Sequence, residues 1–569
     1  MKKEVAFDNG AIKGLSPSSI SLKDEESSSG KSRTRNHVIL SDIEIARQSA
    51  RGSSILFLGN LLSAAIQAVA VIVIARLLGV GAYGAYTLAL LIPGVLQYVV
   101  GLGVINAITR FSAYYISKGE ISAAKRITKN GIIFLLLFGV LLSLASFFGS
   151  SLLATYVLSR PDLTSLVRVS SFIILGQTVL QAATGAFVGW NSMWFASAAS
   201  VLQAILKLGV SVALILVGVG VLGGVIGQLA SYLIAGFVAI GAIMIWTLRE
   251  AKESSNAKGE HDSASLFARD IKEMVSFGLP LFAGNAISGL ASQYVTILLA
   301  GFATNAVVGF YQAAVNVTTI ITLSSSAVSL TLLSAFSSLS GIAGNIAQAF
   351  RFAVKYVSYF VTPIVVLLVA AGGPLMELLY GPSYSQGVIY LKLLAVSYTS
   401  IALGITVLSP FFSGIGRTRF TMIFSVVSAA VLVFFATLFS RALGLGVYGL
   451  IYAAVISGFA GTLVGLLLAS KYLKATIEWG STGGILLSSG IALLAVYFLP
   501  QPTHNLIAFL LDCAVFFAVY FTVAPLIRAL NDSDVARLQS AMQGLGILGV
   551  LTRPILRYEH FLLVKTKRK

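Results

Sequence analysis

From about residue 54 the chain runs in apolar stretches of some twenty residues, separated by short polar segments that hold most of its Lys and Arg. A helix needs roughly 20 apolar residues to cross the hydrocarbon core of a bilayer. The stretches near 54–75, 84–108, 131–157, 169–189, 196–217, 221–247, 277–300, 307–332, 354–372, 388–411, 420–440, 447–469, 482–499 and 506–527 therefore predict about fourteen transmembrane helices. The pattern is different at both ends. Residues 1–40, with "SPSSISLKDEESSSGKSRTRN", are too polar to bury a core and predict a disordered tail. They lack the apolar segment of a signal peptide. Residues 41–54 place Ser41 as an N-cap ahead of Asp42 and Glu44, which predicts a short lead-in helix. Residues 529–569 mix basic and apolar positions, as an interfacial segment at anionic headgroups does.

A shift of 225 residues superimposes landmarks of the pattern on themselves. "GNLLS" (59–63) meets "GNAIS" (284–288), and Gly84, Tyr86, Phe111 and Gly189 meet Gly309, Tyr311, Phe336 and Gly414. Arg126 meets Arg351 in an equivalent loop, and Arg249 meets Lys474 at the ends of the sixth and twelfth spans. Turns and charges thus recur at equivalent stations, which weighs more than identities between apolar residues. Six spans per half is an even number, so both halves enter the membrane in the same sense. An axis along the membrane normal then relates them, with a central site between them, which is a transporter architecture. The expected organisation is a tail (1–40), a six-helix bundle (41–249), a cytoplasmic linker (250–275), a second bundle (276–474), an extra helix pair (475–528) and a basic tail (529–569).

Composition agrees. The chain is 57% hydrophobic and 11% charged, against the ~25% charged residues of a soluble protein. The net charge of +18 would suggest nucleic acid in a soluble protein, but here it follows from topology. With the N-terminus inside, 33 of the 39 Lys and Arg fall in the tails and inside loops and four at the outside, so both termini are expected in the cytoplasm. One cysteine, Cys513, and four scattered histidines offer neither a disulfide nor metal-ligand spacing. No cofactor, metal or nucleic-acid partner is expected, and the chain is read as a monomer.

The charged residues within the spans carry the chemistry. In the twelve-span core every Asp and Glu is read as a loop residue, and the one intramembrane carboxylate is Asp512 in span fourteen. Cations, by contrast, occur within or beside core spans: Arg76, Arg110, Lys207, Lys392 and Arg441. A charge at mid-bilayer costs at least about 2.5–3.5 kcal/mol, so each needs a reason. Arg76 is replaced by Gly301 in the other half, Lys207 by Leu432, and Lys392 by Val167. A charge in one copy alone suggests a site built for an asymmetric ligand, the rival being a side chain that snorkels to the headgroups. Amides form a second layer, from Asn60 and Gln67 to Gln293 and Asn316, suited to glycan hydroxyls or to bonds between helices. Asn60 and Asn285 are symmetry partners at the expected surface between bundles. The candidate substrate-binding residues are therefore Arg76, Lys207, Lys392, Asn60 and Asn285.

The blocks "ARLLGVGAYGAYTLALLIPG", "ITRFSAYYISKGEISAAKRI", "GAFVGWNSMWFASAAS" and "LMELLYGPSYSQGVIYLKLLA" resemble the polysaccharide-biosynthesis branch of the multidrug/oligosaccharidyl-lipid/polysaccharide exporter superfamily, the Wzx-type flippases. The resemblance covers roughly 41–530. It implies two six-helix bundles around a cavity that opens alternately to either side, and a polyprenyl-diphosphate-linked glycan moved across the cytoplasmic membrane. The basic, carboxylate-poor core suits such an anionic cargo, since Arg and Lys neutralise and hydrogen-bond a diphosphate. Two alternatives stand beside it. A cation-coupled multidrug exporter of the same superfamily would be expected to hold a carboxylate in the core. A membrane glycosyltransferase or ligase would need acids or a large outside loop around the chemistry. Without a Walker-type phosphate loop, the expected drive is an H+ or Na+ gradient, the membrane potential or consumption of the cargo outside.

Overall fold

The structure, a computed structural model, describes residues 28–253, 264–338, 343–500, 502, 505–527, 529–531, 534–535 and 558–559. Most of the expected tails (1–40, 529–569) and residues 254–263 of the expected linker (250–275) lie outside these residues. The chain falls into two units, residues 1–54 and 55–569, and the architecture below is that of the second.

Among the described residues the protein is all-helical, with no strand. In a bilayer this follows from the backbone, whose N–H and C=O groups find no water to bond and must pair within each segment. The first half comprises α1 (Ser28–Leu78), α2 (Val80–Val100), α3 (Val104–Ser117), α4 (Ile121–Phe148), α5 (Thr164–Gly189), α6 (Met193–Leu214) and α7 (Gly220–Glu253). The second comprises α8 (Ala264–Phe302), α9 (Asn305–Ser338), α10 (Ala343–Ala370), α11 (Gly372–Tyr380), α12 (Gly387–Ser397), α13 (Ile405–Gly414), α14 (Thr418–Thr437) and α15 (Gly446–Leu473). A last pair, α16 (Trp479–Tyr497) and α17 (Asn505–Leu526), packs on α10 around Tyr359, Phe516 and Tyr520.

Left-handed residues end the helices. Asn191 (φ 55°) turns the chain between α5 and α6, and Gly416 (φ 75°), 225 residues on, turns it between α13 and α14. Gly218 and Gly220, both at positive φ, fold α7 back along α6, where Gln203 Nε2 donates to Ser231 Oγ at 3.1 Å. Between helices the contacts are made by small polar residues. Trp190 Nε1 donates to Thr128 Oγ1 at 3.0 Å, Thr128 pairs with Ser112 at 2.8 Å, and Ser63 Oγ reaches Ser200 O at 2.9 Å. Such residues let helices approach closely without a water-driven core.

Eleven of the described helices are long and apolar enough to span, or twelve if the pair Gly387–Leu403 and Ile405–Gly414, bent by 44° at Gly404, is one span. The expected fourteen would require Met193–Ile245, counted once there, to cross twice, and the shorter Ala286–Phe302 to cross as well. Residues 264–275, within the segment assigned to the linker, are the first turns of α8. Asp270, expected in a loop, lies on that helix and is 1% exposed, because Arg126 of α4 at 3.1 Å and Asn130 at 2.8 Å take up its carboxylate.

Candidate functional site

The halves meet where α2 crosses α9. A Cβ on Gly84 would fall 1.8 Å from the Asn305 carbonyl oxygen, and one on Gly309 would fall 2.2 Å from that of Val80. Gly84 and Gly309 are 225 residues apart, and so are Val80 and Asn305. The contact is therefore reciprocal, as at an isologous two-fold interface, and the axis relating the halves passes through this crossing. Only glycine allows two helix backbones to come this close.

Beside the crossing, between the halves, lies a cavity of about 210 Å³. Three pairs of its lining residues are again 225 apart: Val71 and Thr296, Thr87 and Gln312, Leu91 and Asn316. The cavity thus sits on the symmetry axis, but its walls differ in chemistry. The first half contributes Val71, Leu90 and Leu91 together with Tyr83, Tyr86, Thr87 and Lys207, whereas the second contributes Gln293, Thr296, Gln312 and Asn316, so Val71/Thr296 and Leu91/Asn316 set an apolar residue against a polar one. A hydrogen-bonded chain joins the two sides, Gln312 Nε2 donating to Asn316 Oδ1 at 3.1 Å and Asn316 Nδ2 to the Tyr83 hydroxyl at 2.7 Å. Lys207, on α6, is the charged residue of the lining and is 7% exposed. No Asp or Glu is among the lining residues, and among the described residues the Lys207 ammonium has no hydrogen-bond partner. A buried ammonium in this setting calls for a counter-charge, which an anionic ligand would bring.

Two polar seams close the end of the bundle away from the Lys/Arg-rich loops. In one, the Arg76 guanidinium donates to the carbonyls of Leu379, at 2.7 Å, and of Leu378, both in the last turn of α11. Tyr384, just beyond α11, donates to the Ala75 carbonyl at 2.9 Å. In the other, Arg160 donates to the Ala303 carbonyl at 3.3 Å and to Asn305 Oδ1. At the basic end, the first turns of α8 pack on the first half. Arg126 and Asn130 hold Asp270, and the Arg110 guanidinium lies 4.2 Å from the centre of the Phe277 ring.

Residues 49–340, just over half of the chain, match the family model described as "Polysaccharide biosynthesis protein". The chain belongs to this family. No curated protein matches the sequence. Its fold is similar to that of the lipid II flippase MurJ in an inward closed conformation, with TM-score 0.67 and 18% identity over 83% of this chain and 98% of that one. It is also similar to an inward-facing multidrug resistance MATE family transporter of the MOP superfamily, with TM-score 0.58 and 16% identity over 73% and 94%. A MOP superfamily transporter from Pyrococcus furiosus, described as having a binding pocket of reverse polarity, aligns with TM-score 0.54 and 18% identity over 75% and 96%. The long apolar helices make this a membrane protein, in the fold shared by the flippase MurJ and by MATE transporters.

In this family member the five residues singled out from the sequence are dispersed. Lys207 lines the cavity between the halves. Arg76 is exposed and sits at the seam on α11. Lys392 faces a different cavity, of about 560 Å³, between the second half and the last helix pair, together with Asp512 of α17. Asn60 is exposed on α1. The side chain of Asn285 lies outside the described residues. Of the amides, Gln293 and Asn316 reach the cavity, while Gln203 and Gln228 bond to neighbouring helices. Sequence reasoning did not single out Gln312, Tyr83 or Thr87 as site residues. The usable signal was the repeat itself, since positions 225 apart on α2 and α9 come together at the axis.

Proposed function

We propose that the protein is a flippase that carries a polyprenyl-diphosphate-linked oligosaccharide across the cytoplasmic membrane, with both termini in the cytoplasm. The halves, 41–249 and 276–474, rock about the α2/α9 crossing and expose the cavity to each side in turn. The observation that carries this reading is Lys207, a buried ammonium in a cavity between the halves whose lining holds no carboxylate. A diphosphate supplies the counter-charge that the protein does not, and in a low-dielectric cavity that pairing is strong. The same wall disfavours a cationic drug, which would meet an ammonium and no acid. Family membership and the fold shared with MurJ and the MATE transporters support movement of a substrate across a membrane.

The test is transbilayer movement of a fluorescent polyprenyl-diphosphate glycan by the purified protein in liposomes, with a cationic dye as the comparison cargo. The lipid is expected to move and the dye to stay. Lys207→Gln should slow the lipid by at least about tenfold, as loss of one partner of a desolvated charge pair does. Movement of the dye in exchange for H+ or Na+, with the lipid ignored, would overturn the reading.

A further inference from the structure

Glu559 is the one acid of residues 553–569, which hold six Lys and Arg, and it is fully buried. It belongs neither to the repeat nor to the cavity between the halves. Its carboxyl packs against Tyr359 of α10 and Tyr520 of α17, themselves buried. We propose that Glu559 makes the C-terminal segment a proton-operated latch: the neutral carboxyl seats the segment against α10 and α17, and ionisation releases it. The inference goes beyond the flippase reading and does not depend on it.

Two observations carry it. The first is the seat. The Tyr359 hydroxyl donates to Glu559 Oε1, and the hydroxyls of Tyr558 and Thr522 pair at 3.2 Å, so consecutive residues of the segment hold one helix each. The second is what the seat lacks. Among the described residues no cation pairs with the carboxyl, and its Oε2 is buried without a hydrogen-bond partner. Tyr520 faces the carboxyl but spends its proton on the Tyr359 carbonyl, at 2.9 Å. The charges next along α10, Lys355 with Asp534 and Glu478, are already bonded to one another. An ionised Glu559 would be a desolvated charge held by a single hydroxyl, whereas the neutral acid loses far less on burial. The seat also lies on a helix that braces a break in the fold. Ser358, beside Tyr359, donates to the Ala402 carbonyl at 2.9 Å, and Val354 packs on Gly404, where α12 bends into α13.

Burial pushes the Glu559 carboxyl up from its ordinary 4.5 to about 7, and the Tyr359 hydrogen bond holds it back only in part. Below pH 4.5 the seated and released forms are both neutral, and the latch is at full strength. Between 4.5 and 7 only the released form ionises, so each pH unit weakens seating tenfold, roughly 300-fold in all. Above 7 both forms are ionised and nothing more is lost.

The experiment uses the full chain in detergent on a Cys513→Ala background. Spin labels go on Thr418→Cys, at the exposed start of α14, and on Leu563→Cys, four residues beyond Glu559. The distance distribution between them reads the seated fraction from about pH 5 to 8.5. In the parent a narrow population at the acid end should broaden as the pH rises. Glu559→Gln, which keeps the shape of the neutral acid, should stay narrow throughout. Tyr359→Phe should lose seating most at the alkaline end, by about tenfold, because there the carboxylate relies on that hydroxyl. His560 titrates in the same range, and Glu559→Gln retains it. Broadening that persists in Glu559→Gln would therefore assign the switch to His560 and overturn the proposal. So would a parent distribution that is the same at both ends of the range, or a Tyr359→Phe variant seated like the parent at every pH.

Discussion

The Arg76 guanidinium spends its hydrogen bonds on carbonyls that end α11, where the helix dipole concentrates partial negative charge. The Lys207 ammonium meets no such group among the described residues. The two cations therefore differ: Arg76 ties the halves together, whereas Lys207 faces the cavity, the place at which the proposed function seats an anionic cargo. Arg160 plays the tying part at the other seam. Removing the bonds of Arg76 or Arg160 should favour the state open at that end by about 1–2 kcal/mol, a factor of roughly 5–30 in population. The check is a cysteine at Thr87, inside the cavity, on a Cys513→Ala background. Arg76→Ala or Arg160→Ala should speed its labelling by an impermeant thiol reagent from one face of the membrane only, and unchanged labelling would reduce both arginines to surface anchors. A mid-helix lysine was legible in the sequence because no snorkelling path is short enough to explain it. The partner of Arg76 was not, because backbone carbonyls 302 and 303 residues away leave no mark in the sequence. Nor did the sequence reveal that Gly301, the counterpart of Arg76, lies where a Cβ would fall 4.0 Å from Arg441 Nη2. The second seam takes its charge from Arg160, in the segment before α5.

Among elements, the final pair α16 and α17 is held to α10 at its basic end by a buried ion cluster. Lys355, 2% exposed, bonds Asp534 at 2.5 Å and Glu478 at 3.3 Å, and the Tyr356 hydroxyl donates to Asp534 at 3.3 Å. Glu478 opens α16 and Asp534 follows α17, so one lysine fastens both helices. Breaking a buried pair by deleting one partner leaves a stranded charge and costs about 3–5 kcal/mol. Lys355→Met should lower the melting temperature of the detergent-solubilised protein, and Lys355→Met with Asp534→Leu should recover much of the loss. If the double variant is no better than the single one, the cluster matters for some reason other than its charges. The helices themselves were largely legible from apolar run length. Their breaks were less so. The span expected at 84–108 is interrupted at Gly101–Gly103, and the one at 388–411 bends at Gly404, while their counterparts α9 and α5 run on. Glycine is frequent throughout, and only packing decides which glycine breaks a helix. At Gly404 (φ +91°) the neighbour is Val354, within 2.7 Å of where a Cβ would be.

Across the whole molecule, two equivalent halves enclose a site that is not equivalent on its two sides. The frame can be symmetric because rocking needs only a pivot, and the reciprocal Gly84/Gly309 contact supplies one. The lining is asymmetric, and the 225-residue offset marks where the two copies differ, as at Val71/Thr296 and Leu91/Asn316; a lipid-linked glycan, as proposed above, is an asymmetric cargo of that kind. For rocking to move cargo, the seam between Arg160 and Asn305 has to open in every cycle. Arg160→Cys with Asn305→Cys on a Cys513→Ala background, joined by a short reducible bis-thiol linker, should stop transport of the lipid, and reduction should restore it. The unlinked double variant should transport at least as fast as the parent, because it lacks a bond of that seam. Binding of the sugar-bearing lipid in detergent should survive the linkage, since the cavity lies at the pivot and is already formed with this end closed. If linked protein still carries lipid across the bilayer, the halves do not separate there, and the cargo must pass by a route that leaves the seam shut.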